Sequence, residues 1–286
     1  MTFANTAWIS VRNDANGVAT LPRSHGVYVF QGDGALPLYI GKSVDIRARV
    51  MSHLRAPDEA TMMAQTRRID VIETAGEIGA LLLEARMIKA QSPLYNQRLR
   101  RLRTLCSIRL QMSDAGVVPQ VVHSPSVHLG VTPGLYGLFS SQHAAQAKLR
   151  ELAQQHLLCL SVLGLEKAGA RGCFGVQIKT CLGACIGKED RRVHDQRLLS
   201  VLQDTQVQVW PFAGAIDLVE ACGDWVQRHR VNNWCYVGTQ CSRQPHRVSW
   251  HEPSAMGFDM GFDVDSYKIL VKPIMLNKVV IEPVTP

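Results

Sequence analysis

GVYVFQGDGALPLYIGKSVDIRARVMSHL, residues 26–54, contains the whole plan of a small domain. Its runs 26–31 and 37–42 are β-rich, and Asp33-Gly34 lies in the loop between them, which predicts a hairpin. From Ser43, a plausible N-cap, Ile46, Val50 and Leu54 recur four apart, which predicts an amphipathic helix over 43–54. Working outward, RRIDVIE (67–73) reads as a third strand. GEIGALLLEARMIKAQ (76–91) reads as a second helix, with Ile78, Leu81, Leu82, Ala85 and Ile88 on one face and a stop at Ser92-Pro93. The order β-β-α-β-α within about 70 residues predicts an α+β fold built on a three-stranded antiparallel sheet.

Beyond this core, CSIRLQM, PQVVHS and GLYGLFS predict short strands over 105–140, followed by a helix over 141–160 and a cysteine-rich stretch. After residue 200 the pattern is mixed α/β. A helix near 214–229 is expected, then strands in NNWCYVGT, HRVSWH, DSYKILVKPI and NKVVIEP. The expected domains are 1–104, 105–200 and 201–286.

The chain has 286 residues, 46% hydrophobic and 19% charged, which excludes extended disorder. No apolar run reaches about 18 residues, so no membrane span or membrane partner is expected. The start has no basic region followed by an apolar core, which places the chain in the cytoplasm as an expectation. The net charge of +7 is uneven: +5 over 1–105, +4 over 106–200 and −2 over 201–286. Arg86, Lys89, Arg98, Arg100, Arg101, Arg103 and Arg109 fall in a stretch with no acid, which suits either a solvated helix face or contact with DNA phosphates.

The hairpin carries Gly26-Val27-Tyr28 and Tyr39-Ile40-Gly41-Lys42. Arg49 follows on the next helix, Glu84 on the second helix and Asn96 after a proline. Singly, each residue has an ordinary structural role, and the ordered set is what carries weight. It resembles the GIY-YIG nuclease domain, and most closely the N-terminal half of the UvrC family, over residues 20–100 and on through the cysteines to about 187. The residue types suit hydrolysis of an anionic phosphodiester, which needs cationic charge and a deprotonated water. Tyr28 and Tyr39 can face one side of the hairpin if the register sets them opposite. Lys42 is placed to favour a phenolate, and Gly41 to leave room for a phosphate. Arg49 can stabilise charge on the transferring group, and Glu84, a lone carboxylate, suits one Mg²⁺ or Mn²⁺. Asp45, Arg49 and His53 are spaced to share one helix face, where Arg49 can pair with Asp45. His53 stands where UvrC has tyrosine, so it either orients the water or shares the task of base.

Cys159, Cys173, Cys181 and Cys185 follow C-x13-C-x7-C-x3-C. With reduced cytoplasmic thiols expected, they read as metal ligands rather than disulfides. Four thiolates suit an iron–sulfur cubane or structural zinc, and four unrelated buried thiols is the plain alternative. The resemblance to UvrC implies a 4Fe-4S cluster with a structural task. Cys235, Cys241, His246 and His251 form a weaker set that fits no familiar metal motif. Cys106 and Cys222 are expected in the core.

The resemblance further implies an endonuclease of nucleotide excision repair, cutting damaged double-stranded DNA on the 3′ side of a lesion, with UvrB as partner and UvrA upstream. The UvrC family continues into an RNase H-like nuclease and a helix-hairpin-helix pair. No sequence for either is found here, so a short, Cho-type homologue limited to the 3′ cut is expected. Residues 201–286 carry no motif, and their lower charge favours protein contact or packing.

Overall fold

The computed structural model describes residues 8–96, 105–114, 116–124, 126–243 and 262–284. It forms two compact units: Met1–Leu102 together with Pro211–Pro286, and Arg103–Trp210. The first begins with β1 (Ile9–Arg12), α1 (Ala15–Ala19), β2 (Gly26–Gln31), β3 (Tyr39–Ser43), α2 (Ile46–Arg55), α3 (Ala60–Gln65), β4 (Arg68–Glu73) and α4 (Glu77–Gln91). The α+β class and the predicted hairpin, third strand and two helices are all present. The sheet, however, has four antiparallel strands in the order β1-β4-β2-β3, since β1 adds to the edge of β4. A run as short as ISVR signals little by itself, but its Ile9 and Val11 pack onto the core.

Both faces of this sheet are covered, which is why GVYVFQ is apolar almost throughout. Tyr28, Phe30, Ile69 and Val71 pack with Ile46 and Val50 of α2 and Met62 and Met63 of α3. Val27, Val29, Ile40 and Ile72 pack with Met87 and Ile88 of α4. Helix α2 is capped by Asp45, which accepts from the Ala48 N–H at 2.9 Å, and not by Ser43. Ser43 instead donates to the Asp45 carbonyl at 2.7 Å, one residue before the helix proper.

In the second unit, β5 (Cys106–Ser113), β6 (Gly116–His123) and β7 (Leu135–Phe139) form a sheet in the order β6-β5-β7. Helices α5 (Gln142–His156), α6 (Phe174–Gln177) and α7 (Arg191–Gln203) follow. Ile108 and Val117 of the sheet pack with Ala145, Leu149 and Leu152 of α5 and Leu198 and Leu202 of α7. The cysteine-rich stretch runs between α5 and α7.

The chain then rejoins the first unit as β8 (Ile216–Cys222), β9 (Trp225–Asn232), β10 (Cys235–Cys241), α8 (Val264–Met275) and β11 (Val280–Pro283). The sheet order is β10-β9-β8-β11. Here the sequence reading needs correction twice. The helix expected near 214–229 is instead the β8–β9 hairpin, turning at Gly223 with φ 62°. The strand expected in DSYKILVKPI is α8, whose buried Tyr267, Leu270 and Ile274 recur at helical spacing and whose N-cap is Asp263. Strands β10 and β11 lie where NNWCYVGT and NKVVIEP predict them. HRVSWH, His246 and His251 fall outside the described residues. Cys106 is buried as expected, but Cys222 is exposed. No helix among the described residues is long and apolar enough to cross a membrane.

Candidate active site and cysteine cluster

Antiparallel pairing of β2 with β3 sets Tyr28 opposite Gly41 and Phe30 opposite Tyr39. The two tyrosines are therefore diagonal neighbours on one face, their ring centroids 6.1 Å apart, and not directly opposed. Gly41 is glycine because the Tyr28 phenol lies over it: a Cβ there would sit 2.6 Å from Tyr28 Cζ and 2.7 Å from Tyr39 Cε1. The room attributed to a phosphate is filled by Tyr28.

Tyr28 is 1% exposed, and its hydroxyl lies 2.6 Å from Nε2 of His53 on α2. The other ring nitrogen, Nδ1, meets the carboxylate of Glu59 at 2.5 Å. His53 is itself buried, and burial lowers its pKa, with the Glu59 carboxylate opposing and Arg49 reinforcing that shift. A neutral imidazole with Nδ1–H donating to Glu59 and Nε2 accepting from Tyr28 satisfies both contacts. Tyr28, His53 and Glu59 therefore form one hydrogen-bonded chain, with the Tyr39 ring packed beside Tyr28 and His53.

Burial pushes both phenols above the ordinary tyrosine range. The Glu84 charge adds to the rise at Tyr39, and the Arg49 guanidinium opposes it at both. The cation that favours ionisation of both phenols is therefore Arg49 rather than Lys42. The Lys42 ammonium pairs with Glu77 at 2.5 Å. What Lys42 contributes at the site is its backbone N–H, which donates to Glu84 Oε1 at 3.0 Å. Asp45 is occupied in capping α2 and leaves Arg49 to the tyrosine.

Glu84 reaches from α4 to the rim of β3, one residue from Gly41. Burial raises its pKa, and the Lys42 amide, the Lys42 charge and Arg49 offset part of that rise. One oxygen takes the Lys42 N–H, and a carboxylate offers about four lone-pair sites, so the group can also hold a hard cation. Asn96 does not aim its amide at this centre. Its Oδ1 accepts from Ile40 N and its Nδ2 donates to Ile40 O, both at 2.9 Å, so it closes the free edge of β3.

Of the three described members of the basic run, Arg109 is exposed on β5, and Arg86 and Lys89 are engaged elsewhere. Arg86 lies 5.8 Å from the centroid of the Tyr236 ring, and Lys89 pairs with Asp263 at 2.6 Å and Asp265 at 2.8 Å. Both face β10 and α8 rather than standing free for phosphate. Arg98, Arg100, Arg101 and Arg103 lie outside the described residues.

In the second unit, Cys159, Cys173 and Cys185 bring their sulfurs within 4.8 Å of one another, and Cys181 packs in the same buried group. Two of the sulfurs receive a backbone N–H, Cys181 from Gly183 at 3.3 Å and Cys185 from Cys173 at 3.4 Å. Such N–H···S contacts suit thiolates, and Gly183, at φ 87°, makes the turn between the last two cysteines. The backbone N–H of Cys159 donates to Nε2 of His194 at 3.0 Å, and His194 Nδ1 faces Asp195 at 3.2 Å.

Sequence reasoning missed Glu59 and His194. Glu59 sits six residues after His53 in a separate 3-10 turn, and no periodicity links the two. His194 follows the last cysteine by nine residues, inside a helix that its charged sequence conceals.

Among known families, residues 24–97 match the UvrC-like GIY-YIG domain, 105–204 the UvrC/Cho excinuclease middle domain, and 215–286 the excinuclease Cho C-terminal domain. Excinuclease cho of Salmonella typhimurium is 48% identical over 256 residues, covering 89% of this chain and 84% of that protein. The Escherichia coli K12 excinuclease cho is 46% identical over 257 residues, with the same coverage. UvrABC system protein C of a Ruegeria species is 34% identical over 59% of this chain and 27% of its own length. The magnesium-bound GIY-YIG endonuclease domain of Thermotoga maritima UvrC is 30% identical over 28% of this chain and 92% of that domain, with a TM-score of 0.27. The chain belongs to the Cho excinuclease family, GIY-YIG nucleases related to UvrC that hydrolyse phosphodiester bonds.

Proposed function

We propose that this chain makes the 3′-side incision beside a lesion in damaged double-stranded DNA, delivered by UvrB after UvrA has acted. The observation that carries the chemistry is the convergence at β3 of the Tyr28–His53–Glu59 chain, the Tyr39 ring beside it, the Arg49 guanidinium and the Glu84 carboxylate. When bound at Glu84, Mg²⁺ or Mn²⁺ supplies positive charge to the leaving 3′ oxygen. Arg49 faces the non-bridging oxygens, where charge develops in the transition state. Tyr39, the less buried phenol, takes a hydrogen bond from the attacking water. The proton lost by that water moves through the Tyr39 and Tyr28 hydroxyls and rests on His53 Nε2, while Glu59 holds the imidazolium that results. Neither buried phenol has to persist as a phenolate. Lys42 and Asn96 serve through the backbone of β3, one fixing Glu84 and the other the strand edge. The phosphate-binding role of the basic run rests on Arg98, Arg100, Arg101, Arg103 and the exposed Arg109.

The four cysteines are proposed to hold a 4Fe-4S cluster, with zinc as the alternative occupant. The grouped sulfurs and the N–H···S bonds to Cys181 and Cys185 support thiolate ligation by either.

End-labelled, lesion-bearing duplex incubated with the protein, UvrA, UvrB and Mg²⁺ tests this reading. One nick is expected, in the damaged strand on the 3′ side of the lesion, and none without UvrB. Glu84→Ala should abolish the nick and keep DNA association. Equal cutting by Glu84→Ala would remove the metal role, and cutting of undamaged DNA without UvrB would remove the repair role.

A further inference from the structure

Helix α4 carries Glu84, yet it lacks an N-terminal cap of its own. Its N-cap residue is Gly76, which has no side chain to satisfy the first N–H groups. The cap comes instead from β8: Glu220 accepts from the Ile78 N–H at 2.9 Å and the Gly79 N–H at 2.7 Å, from 142 and 141 residues further along the chain. A carboxylate at this end also faces the positive pole of the helix dipole. His229 of β9 holds the same carboxylate through Nε2 at 3.0 Å, and its Nδ1 meets Thr239 of β10 at 2.7 Å. Next to them, Gln227 accepts from the Ala75 N–H at 2.9 Å.

The glycines of α4 are matched to this arrangement. A Cβ at Gly76 would overlap the Glu220 carboxylate, and one at Gly79 would lie 2.7 Å from His229 Cε1. Further along the helix, Arg86 lies over Tyr236 and Lys89 is paired with Asp263 and Asp265. The segment after residue 211 thus holds α4 at positions on both sides of Glu84. Turning or sliding the helix would carry Glu84 off the Lys42 N–H.

We propose that residues 211–243 and 262–284 brace the helix that carries Glu84, and that Glu220 is a positioning residue that fixes Glu84 for its divalent cation. The proposal rests on the reading of Glu84 as the metal-holding carboxylate. It gives a task to a segment with no chemical motif, and it explains why buried Gln227 and His229 occupy inward positions of a strand.

Mn²⁺ binding to the full chain, read from the free-ion electron paramagnetic resonance signal, tests it without relying on cutting. Glu220→Ala should weaken Mn²⁺ binding about 10-fold, the scale seen when partners behind metal ligands are removed. Glu220→Gln, which keeps one acceptor oxygen, should fall between, and it carries the test if the alanine variant does not fold. Asp217→Asn is the control, because it breaks the Asp217–Arg230 pair at 2.9 Å in the same sheet without touching α4. It should lower the melting temperature and leave Mn²⁺ affinity unchanged. Unchanged affinity in both Glu220 variants, or an equal loss in Asp217→Asn, overturns the proposal. If Glu84→Ala binds Mn²⁺ as tightly as the parent, the reading of Glu84 is what fails, and the brace's metal role falls with it.

Discussion

Both nitrogens of the buried His53 ring have partners, and their chemistry sets a direction for the pH response of cutting. Tyr28 and Tyr39 face the ring from the hairpin, Arg49 from its own helix, and Glu59 from the turn that follows. Burial and Arg49 lower the His53 pKa below the ordinary 6.5, so the proton-accepting form persists as pH falls through that value. The acid limb of single-turnover cutting should therefore lie below pH 6.5. Glu59 works in the opposite sense, raising the pKa by stabilising the imidazolium. Glu59→Gln should move the limb to still lower pH and slow cutting by about 100-fold at neutral pH, the lower end of general-base effects. A limb that stays in place or moves upward in Glu59→Gln would show that His53 does not receive the proton.

At the level of elements, the edge strand β3 carries Tyr39, Gly41 and the amide that holds Glu84, and among the described residues it has no strand neighbour beyond it. The stretch after α4 takes that place: Leu94 N–H bonds Pro37 O, Tyr95 N–H bonds Leu38 O, and Asn96 pairs with both backbone groups of Ile40. Ile40 is fully buried, so removing the amide strands two polar groups away from water. Asn96→Ala should cost about 2–6 kcal/mol in urea unfolding, at roughly 1–3 kcal/mol for each orphaned group. A loss under about 0.5 kcal/mol, the level of an ordinary surface change, would show that the strand edge does not depend on it. The motif made Asn96 visible in the sequence, but its partner is backbone, which no motif encodes. The misreading of β8–β9 has a related cause. Gln227 and His229 face inward alongside Trp225 and Val231, so the apolar alternation that marks a strand is broken by residues whose partners lie on α4.

Across the whole molecule, the chain builds the GIY-YIG sheet, leaves it for the cysteine-bearing unit, and returns to complete the first unit with a second sheet. The cysteine unit has its own core, and its four grouped cysteines sit between α5 and α7, anchored at Cys159 by His194. Anaerobically purified protein should be brown, and Cys181→Ser should bleach that absorbance. A colourless parent containing one zinc per chain would assign the site to zinc instead.

Local pattern was enough to define the hairpin, α2 and α4, the two phenols, Arg49, His53, Glu84 and the four cysteines. Strand alternation, helical spacing and fixed gaps operate over a few residues and leave a direct trace in the chain. Glu59 behind His53, Glu220 at the head of α4, His194 behind Cys159 and the commitment of Arg86 and Lys89 to β10 and α8 became visible only in the folded chain. Each is a polar or charged group whose burial is tolerable only with a partner, and those partners lie six to more than a hundred residues away. A buried polar side chain looks like a surface one until its partner is known.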